Sequence, residues 1–530
     1  MLIDGRLIPS GTAMRADVVI IGSGPAGVTI AHELADAGIN TMIVEGGGRR
    51  HRKEDDDSFR GESLGEPFPL VVSRQRGFGG TSGHWAPATG LRVRPFDEMD
   101  FQSLPSRPNC SWPFSRSTLD PYYARASDQV GVMPSYAADD WFANDDRSAL
   151  TWPEGPELAV FQFARHDIFT RQFDQLAASP IVDLVLHSNV AELVTSPDGE
   201  AITSAEIVCA DGNRFSVEAR IFVLAAGGID NARVLLASPG RMGNGVGNES
   251  DNVGRYFMDH ISVDCGLIEP SGQEIDVRRF LETIDSARGK HQAMVWLGAD
   301  IIRREGLLNA AFWVYRTSPS YLSPGVIAAR SIRAALRSRP VEHLGRHAAD
   351  VVRGGGDIAS FALRRLSRRP SNRVVTSIRI LAEQVPDRNS RIQLAPDRDK
   401  HGMRRVRMNW RIGTADLDSI AGHRDVFGRL LEKSGVGRII DRVDPHERQS
   451  PVLSNYHHIG STRMHDRPSE GVVDAQCRVH STTNLYVAGS SVFPAGGYLN
   501  PTLTIVAMAL RIADAVKRDI GPVAVFGQVS

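Results

Sequence analysis

The sequence predicts a mixed α/β fold: a Rossmann-type nucleotide-binding domain interleaved with a second domain built on an antiparallel sheet with helices. Three observations predict it. A short apolar strand near the N-terminus runs straight into a GxGxxG turn and a helix. Two further apolar strands, far apart in the chain, end in runs of small residues. Strand-like segments bounded by turn residues fill the stretch between those two strands.

Size and charge bound the reading before any motif does. The chain has 530 residues, with 61 Lys+Arg against 62 Asp+Glu. That length exceeds a single hydrophobic core and calls for two domains. A net charge of −1 argues against nucleic acid as a partner. No run of about 18 apolar residues is present, so no membrane span is expected. Residues 1–17 contain no apolar signal-peptide core. Cys110, Cys209, Cys265 and Cys477 lie far apart, in neither CxxC nor zinc-finger spacing. No metal site and no disulfide scaffold is expected, and the chain reads as cytoplasmic.

The elements follow in order. Residues 16–21 (ADVVII) form a buried strand, residues 28–37 a helix ended by Gly38, and residues 40–44 a second strand ending at Glu45. Between the first strand and the helix lies Gly22-Ser23-Gly24-Pro25-Ala26-Gly27, the dinucleotide fingerprint in its required βαβ context. Gly22 permits the tight turn, Gly24 lets backbone approach a pyrophosphate, and Gly27 lets helix and strand pack closely. Pro25 and Ala26 lie in the fingerprint turn and are expected to help hold the cofactor, and the N-terminus of the following helix favours phosphate. Glu45 is placed to accept hydrogen bonds from ribose hydroxyls. This fingerprint alone does not choose between FAD and NAD. Residues 220–228, with Ala226 at the small end, and residues 484–490, with Gly489 and Ser490, return to the same sheet edge. So many contacts favour the longer molecule, FAD.

At this point the chain resembles the glucose–methanol–choline (GMC) oxidoreductases, flavoproteins that act on alcohols. The residues that carry the resemblance are the fingerprint, Gly79-Gly80-Thr81-Ser82-Gly83-His84-Trp85, residues 224–228 (LAAGG), residues 253–260 (VGRYFMDH), residues 456–464 (YHHIGSTRM) and residues 500–504 (NPTLT). The GGTSGHW run is similar to that of pyranose oxidases, glycoside 3-oxidases and sugar dehydrogenases. The resemblance implies a discontinuous FAD domain over residues 16–100, 183–264 and 454–518. It leaves part of 101–182, together with 265–453, to a substrate domain, in which residues 376–384, 391–394 and 404–410 form an antiparallel sheet roofing the flavin.

Oxidising an alcohol through flavin means removing a hydroxyl proton and moving a hydride from carbon to flavin N5. By resemblance His457 is the base, with His458 its rival; adjacent residues of an extended chain point apart, so one of the two is expected at the flavin. Asn500 matches the second catalytic position and would hold the substrate oxygen. It also reads as an N-cap, with Pro501 in the first position of a helix over residues 503–516. Thr502 and the helix N-terminus would face the flavin pyrimidine. Gly79, Gly80, Thr81 and Trp85 would line the cofactor, and Val190 would meet the adenine. His84 matches a residue bonded covalently to flavin in some pyranose oxidases; non-covalent FAD is the favoured reading. Gln384 is read either as a substrate contact or as a solvated strand end.

The resemblance therefore implies FAD-dependent oxidation of a secondary alcohol, a sugar, glycoside or cyclitol hydroxyl, with oxygen or a quinone- or dye-like acceptor. Sterol or aromatic alcohols are the alternative. A flavin-binding protein without turnover is a third reading, against which His457 and Asn500 stand. One segment departs from the family pattern. Residues 330–369 carry ten arginines against three acids, within a basic helical insertion over 324–370. It is read as a cap over the entrance, an oligomer contact, or a peripheral contact with anionic membrane.

Overall fold

The computed structural model describes residues 1–85, 90–142, 156–271, 283–317, 375–440 and 452–521, with residues 325–326, 329, 351–356, 358–359, 363 and 445–446. Most of the basic helical insertion expected over 324–370 lies outside the described residues.

The fingerprint strand is Ala13–Ile21, and it is buried from Val18 onward because four consecutive apolar side chains sit between layers. On one side it pairs in parallel with Thr41–Val44, which in turn pairs with Val182–Leu186 and that with Leu2–Asp4. On the other side it pairs in parallel with Arg214–Leu224, whose last residues also pair with Leu485–Val487. An antiparallel hairpin, Asn189–Thr195 and Ile202–Val208, completes this eight-stranded sheet. The parallel strands are near-continuous apolar runs, as burial on both faces requires. The helix after the fingerprint spans Pro25–Asp36, three residues earlier than expected, because Pro25 is pre-set for the first helical turn. It packs with the C-terminal helix Thr502–Ile520, which also rests on helix Asp120–Val130. No described helix is long and apolar enough to cross a membrane.

The second sheet has nine strands among the described residues, and all its pairings are antiparallel. Its main path runs Gly437–Ile440, Ile261–Pro270, Val375–Ala382, Ala310–Thr317, Gly289–Trp296, Glu157–Ala164, Leu91–Val93. Alternation splits its faces. Phe312 stacks on Phe427 of helix Thr414–Lys433, ring centroids 4.5 Å apart. Its neighbour Trp313 points the other way, to the same side as Arg92 and Phe163, and all three line a cavity.

Three expectations need correction. Leu91–Val93 belongs to this antiparallel sheet, although the nucleotide-binding segment was expected to run to residue 100. Leu2–Asp4 joins the parallel sheet from ahead of residue 16. Of the three strands expected to form one sheet, just Val375–Ala382 joins the nine-stranded sheet. Arg391–Arg398 pairs with Arg404–Asn409, and that strand with Gly61–Ser63, in a separate three-stranded sheet. Strand propensity is local; which sheet a strand joins depends on contacts hundreds of residues away.

Candidate active site

The cavity has a volume of about 710 Å³ and opens at the C-terminal ends of the parallel strands. Ligands of doubly wound folds bind at that edge. Gly22, Glu45, Ala226 and Gly489, each just beyond such a strand, line it. So do Gly24, Pro25, Ala26, Gly80, Thr81, Trp85, Val190, Ser490, Pro501 and Thr502. Gly27 and Gly79 stand behind the wall. A Cβ on Gly27 would lie 2.0 Å from the Gly22 carbonyl oxygen, so no larger residue lets helix and turn approach. Gly22 itself has φ +102, and a Cβ there would meet the Ala225 carbonyl at 2.6 Å. Gly24 differs: nothing lies within 4 Å of a Cβ built there, which leaves its backbone open to a ligand. The side chain of His84 lies outside the described residues.

These residues fit FAD. Beyond the open face of Gly24, the first N–H groups of helix Thr502–Ile520 have no intrahelical acceptors. The buried Oδ1 of Asn189 has no partner, and neither have Nε and Nη1 of Arg76; both residues line the cavity. The sequence reading missed both. Arg76 lies three positions ahead of the GG run, and that position was the one available signal. Glu45 accepts from Gly47 N–H (2.8 Å), Gly77 N–H (3.1 Å), Ser23 N–H (3.1 Å) and the Ser23 hydroxyl (2.6 Å), so its carboxylate braces the glycine turns around the cavity.

His457, His458 and Asn500 meet where the two sheets face each other. Asn500 Nδ2 lies 3.1 Å from His457 Nε2. His457 Nδ1 lies 2.7 Å from His260 Nδ1, and His260 Nε2 lies 3.0 Å from the Gly496 carbonyl oxygen. A carbonyl can only accept, so His260 carries its proton on Nε2. Burial lowers the His260 pKa to about 4 and keeps the ring neutral, so its Nδ1 accepts. His457 therefore donates from Nδ1, and its Nε2 holds a lone pair, which accepts the Asn500 N–H. Burial, with His260, His458 and Arg92 adding to it, holds the His457 pKa well below the usual imidazole range.

The chain behind His457 continues. The peptide that presents the Gly496 carbonyl donates its other end, Gly497 N–H, to Glu383 Oε1 at 3.2 Å. Glu383 pairs with Arg107 at 3.1 Å, and both side chains are fully buried. Asp259 holds the backbone of the same loop. Its carboxylate accepts from His457 N–H (2.8 Å), Tyr456 N–H (3.1 Å) and the Ser454 hydroxyl. Those bonds brace Tyr456 at φ +63, a conformation that side-chain-bearing residues rarely adopt. Asp259 and His260 were noticed in the sequence only as part of a motif. Their contact with residues 454–457 spans almost 200 positions and has no local signature.

Three expectations about these residues change. His458 also lines the cavity, so both histidines face it. They differ in surroundings: His458 packs on Phe68 and Phe257, its Nε2 has no partner, and burial lowers its pKa to about 3. Asn500 is not an N-cap, because the helix starts at Thr502 with Pro501 at the cap and no side-chain capping bond. Gln384 is neither at the substrate side nor solvated. It is 3% exposed and does not line the cavity. Its Oε1 accepts from Asp259 N–H (3.0 Å) and Trp410 Nε1–H (2.8 Å), and its Nε2 donates to the Arg411 carbonyl (3.1 Å).

Comparison with known proteins agrees with this architecture. Residues 386–509 match the GMC oxidoreductase family, and residues 15–64 match an FAD binding domain. The chain is 23% identical to the fructose dehydrogenase large subunit of Gluconobacter japonicus, covering 96% of this chain and 99% of that protein. It is 27% identical to the paromamine 6'-oxidase of Streptomyces fradiae, covering 95% and 92%. An FAD-dependent oxidoreductase from Chaetomium thermophilum has the same fold at 16% identity, with a TM-score of 0.57 over 95% of this chain and 99% of that one. Fingerprint, cavity, loop and matches converge: the chain is an FAD-dependent oxidoreductase acting on alcohols, similar to the GMC oxidoreductases.

Proposed function

We propose that the protein oxidises a secondary hydroxyl of a sugar, glycoside or cyclitol to a ketone, with His457 as the base. The observation that carries this reading is the hydrogen-bond chain that leaves a lone pair on His457 Nε2 beside Asn500. Bound FAD supplies the two-electron acceptor that takes a hydride from the alcohol carbon. His457 Nε2 takes the hydroxyl proton once the substrate hydroxyl displaces the Asn500 N–H from its one lone pair. Its depressed pKa keeps the ring unprotonated, and so competent as a base, at neutral pH and below. Asn500 does not titrate. Its N–H donates to the alcohol oxygen, while its Oδ1, buried and without a partner, is an acceptor for a neighbouring hydroxyl. Together the pair fixes the oxygen, and with it the C–H bond that must break.

A carbohydrate-type substrate is supported by the names of the two relatives, fructose dehydrogenase and paromamine 6'-oxidase. The test is anaerobic reduction of the bound flavin by a panel of sugars and cyclitols. Bleaching by a sugar is expected; bleaching only by sterol or aromatic alcohols would transfer the activity to the alternative substrate class. In His457→Ala, flavin content should persist while the rate of flavin reduction falls by about 10²–10⁴, the usual worth of base catalysis. Full activity in that variant would remove His457 from the role.

A further inference from the structure

Arg92 stands on the short strand Leu91–Val93 at the edge of the antiparallel sheet, and it lines the cavity together with His457. Its guanidinium carbon sits 4.8 Å from the Trp313 ring, 5.6 Å from Phe161 and 5.8 Å from Phe163. One N–H donates to Gln292 Oε1 at 3.1 Å. Among the described residues no carboxylate pairs with it. Four other sheltered arginines of the fold each have a carboxylate. Arg74 faces Asp230 (3.0 Å), Arg107 faces Glu383 (3.1 Å), Arg233 faces Asp399 (2.7 Å) and Arg379 faces Asp264 (2.8 Å). A sheltered cation without a counter-ion is costly, and it persists where something else supplies the charge.

The surroundings specify the missing partner. Aromatic rings take the faces of the guanidinium by cation–π contact. That leaves its planar rim of N–H donors, of which Gln292 uses one. A rim of parallel N–H groups matches a carboxylate bidentately, and the pairing strengthens where water is excluded. The Trp313 indole N–H, also buried and without an acceptor, belongs to the same wall.

We infer that Arg92 is the anion-recognition point of the substrate site, and that the alcohol oxidised is a sugar acid carrying a carboxylate, such as a uronate or an aldonate. The inference rests on the proposed alcohol oxidation at His457 and narrows its substrate class. It also sets a disfavoured class: an amino sugar, cationic at neutral pH, would bring its charge against Arg92.

The experiment pairs each acid with its neutral counterpart on the FAD-loaded enzyme: glucuronate with glucose, galacturonate with galactose, anaerobically, following flavin bleaching. The acid of at least one pair should show a kcat/KM at least tenfold above its neutral partner. Arg92→Gln should collapse that ratio towards one, chiefly through KM, and Arg92→Lys should restore part of it by keeping the charge without the fork. Flavin absorbance reports that each variant still folds and holds FAD. Neutral sugars bleaching the flavin as well as the acids would overturn the role of Arg92 and leave the alcohol oxidation standing. A preference that survives in Arg92→Gln would do the same. No bleaching by any sugar, acid or neutral, would overturn both.

Discussion

At His457 the deciding quantity is the position of one proton. The Gly496 carbonyl accepts from His260 Nε2, His260 accepts from His457 Nδ1, and the tautomer of the base follows from a peptide oxygen two rings away. His260 is thus a positioning residue, in the sense that a carboxylate positions the histidine of a catalytic triad. Replacing His260 with Phe removes the acceptor and leaves His457 free to turn or to carry its proton on Nε2. Flavin reduction should slow by roughly 10²-fold or more, the scale of losing such an orienting partner. Gln at the same position can accept from His457 and donate to Gly496, so His260→Gln should keep more activity than His260→Phe. The wild-type acid limb of kcat/KM should lie well below pH 6.5, because burial depresses the His457 pKa. An acid limb at or above 6.5, or equal activity in the Phe and Gln variants, would count against this account.

The elements that matter most are joined by close backbone contacts that only small residues allow. The fingerprint helix begins at Pro25, and Gly27, in its first turn, sits against the Gly22 carbonyl. Gly27→Ala would place a methyl 2.0 Å from that oxygen, and backbone cannot yield as a flexible side chain does. The expected result is a protein that purifies without its yellow colour and melts earlier, by the order of 1–3 kcal/mol typical of overpacking or more. Full flavin occupancy in that variant would contradict the packing argument. These elements were legible in the sequence because the fingerprint combines a local pattern with a local cause: strand, turn and helix are contiguous. Asn500 was half legible. Its place before the last helix was read, but its bond to His457 displaced the capping role that local chemistry favours.

At the scale of the molecule, the two sheets enclose an unusual set of neutral histidines. Burial lowers the pKa of His260 and His423 to about 4 and of His458 to about 3, and it lowers His401 and His457 in the same direction. A histidine whose folded pKa lies below its unfolded value binds its proton first in the unfolded chain. Each therefore costs stability as pH falls through about 6.5, at up to about 1.4 kcal/mol per pH unit. Burial raises Asp259 and Asp416 to about 6 and raises Asp100 as well, and these act oppositely, adding stability as pH falls below 6. His32, His187, His291 and His465 are lowered by burial as well and Glu157 is raised, so nine groups outweigh four. The melting temperature of the FAD-loaded protein should fall between pH 7 and pH 5, and a melting temperature that rises over that range would refute the balance.

The sequence by itself determined the α/β class, the nucleotide fingerprint and its glycines, and the residues that end each parallel strand, because each of these is written in neighbouring positions. It also picked out His457 and Asn500, through resemblance. The tertiary structure alone decided that His260 and Asp259 stand behind His457, that Gln384 latches the loop instead of reaching the cavity, that two of the expected roof strands form a sheet of their own, and that Arg92 enters the cavity without a carboxylate. Each of those facts is a contact between segments far apart in the chain. Hydrogen bonds and charge pairs act over a few ångströms of space, and a linear pattern carries no record of which distant residues folding brings within that reach.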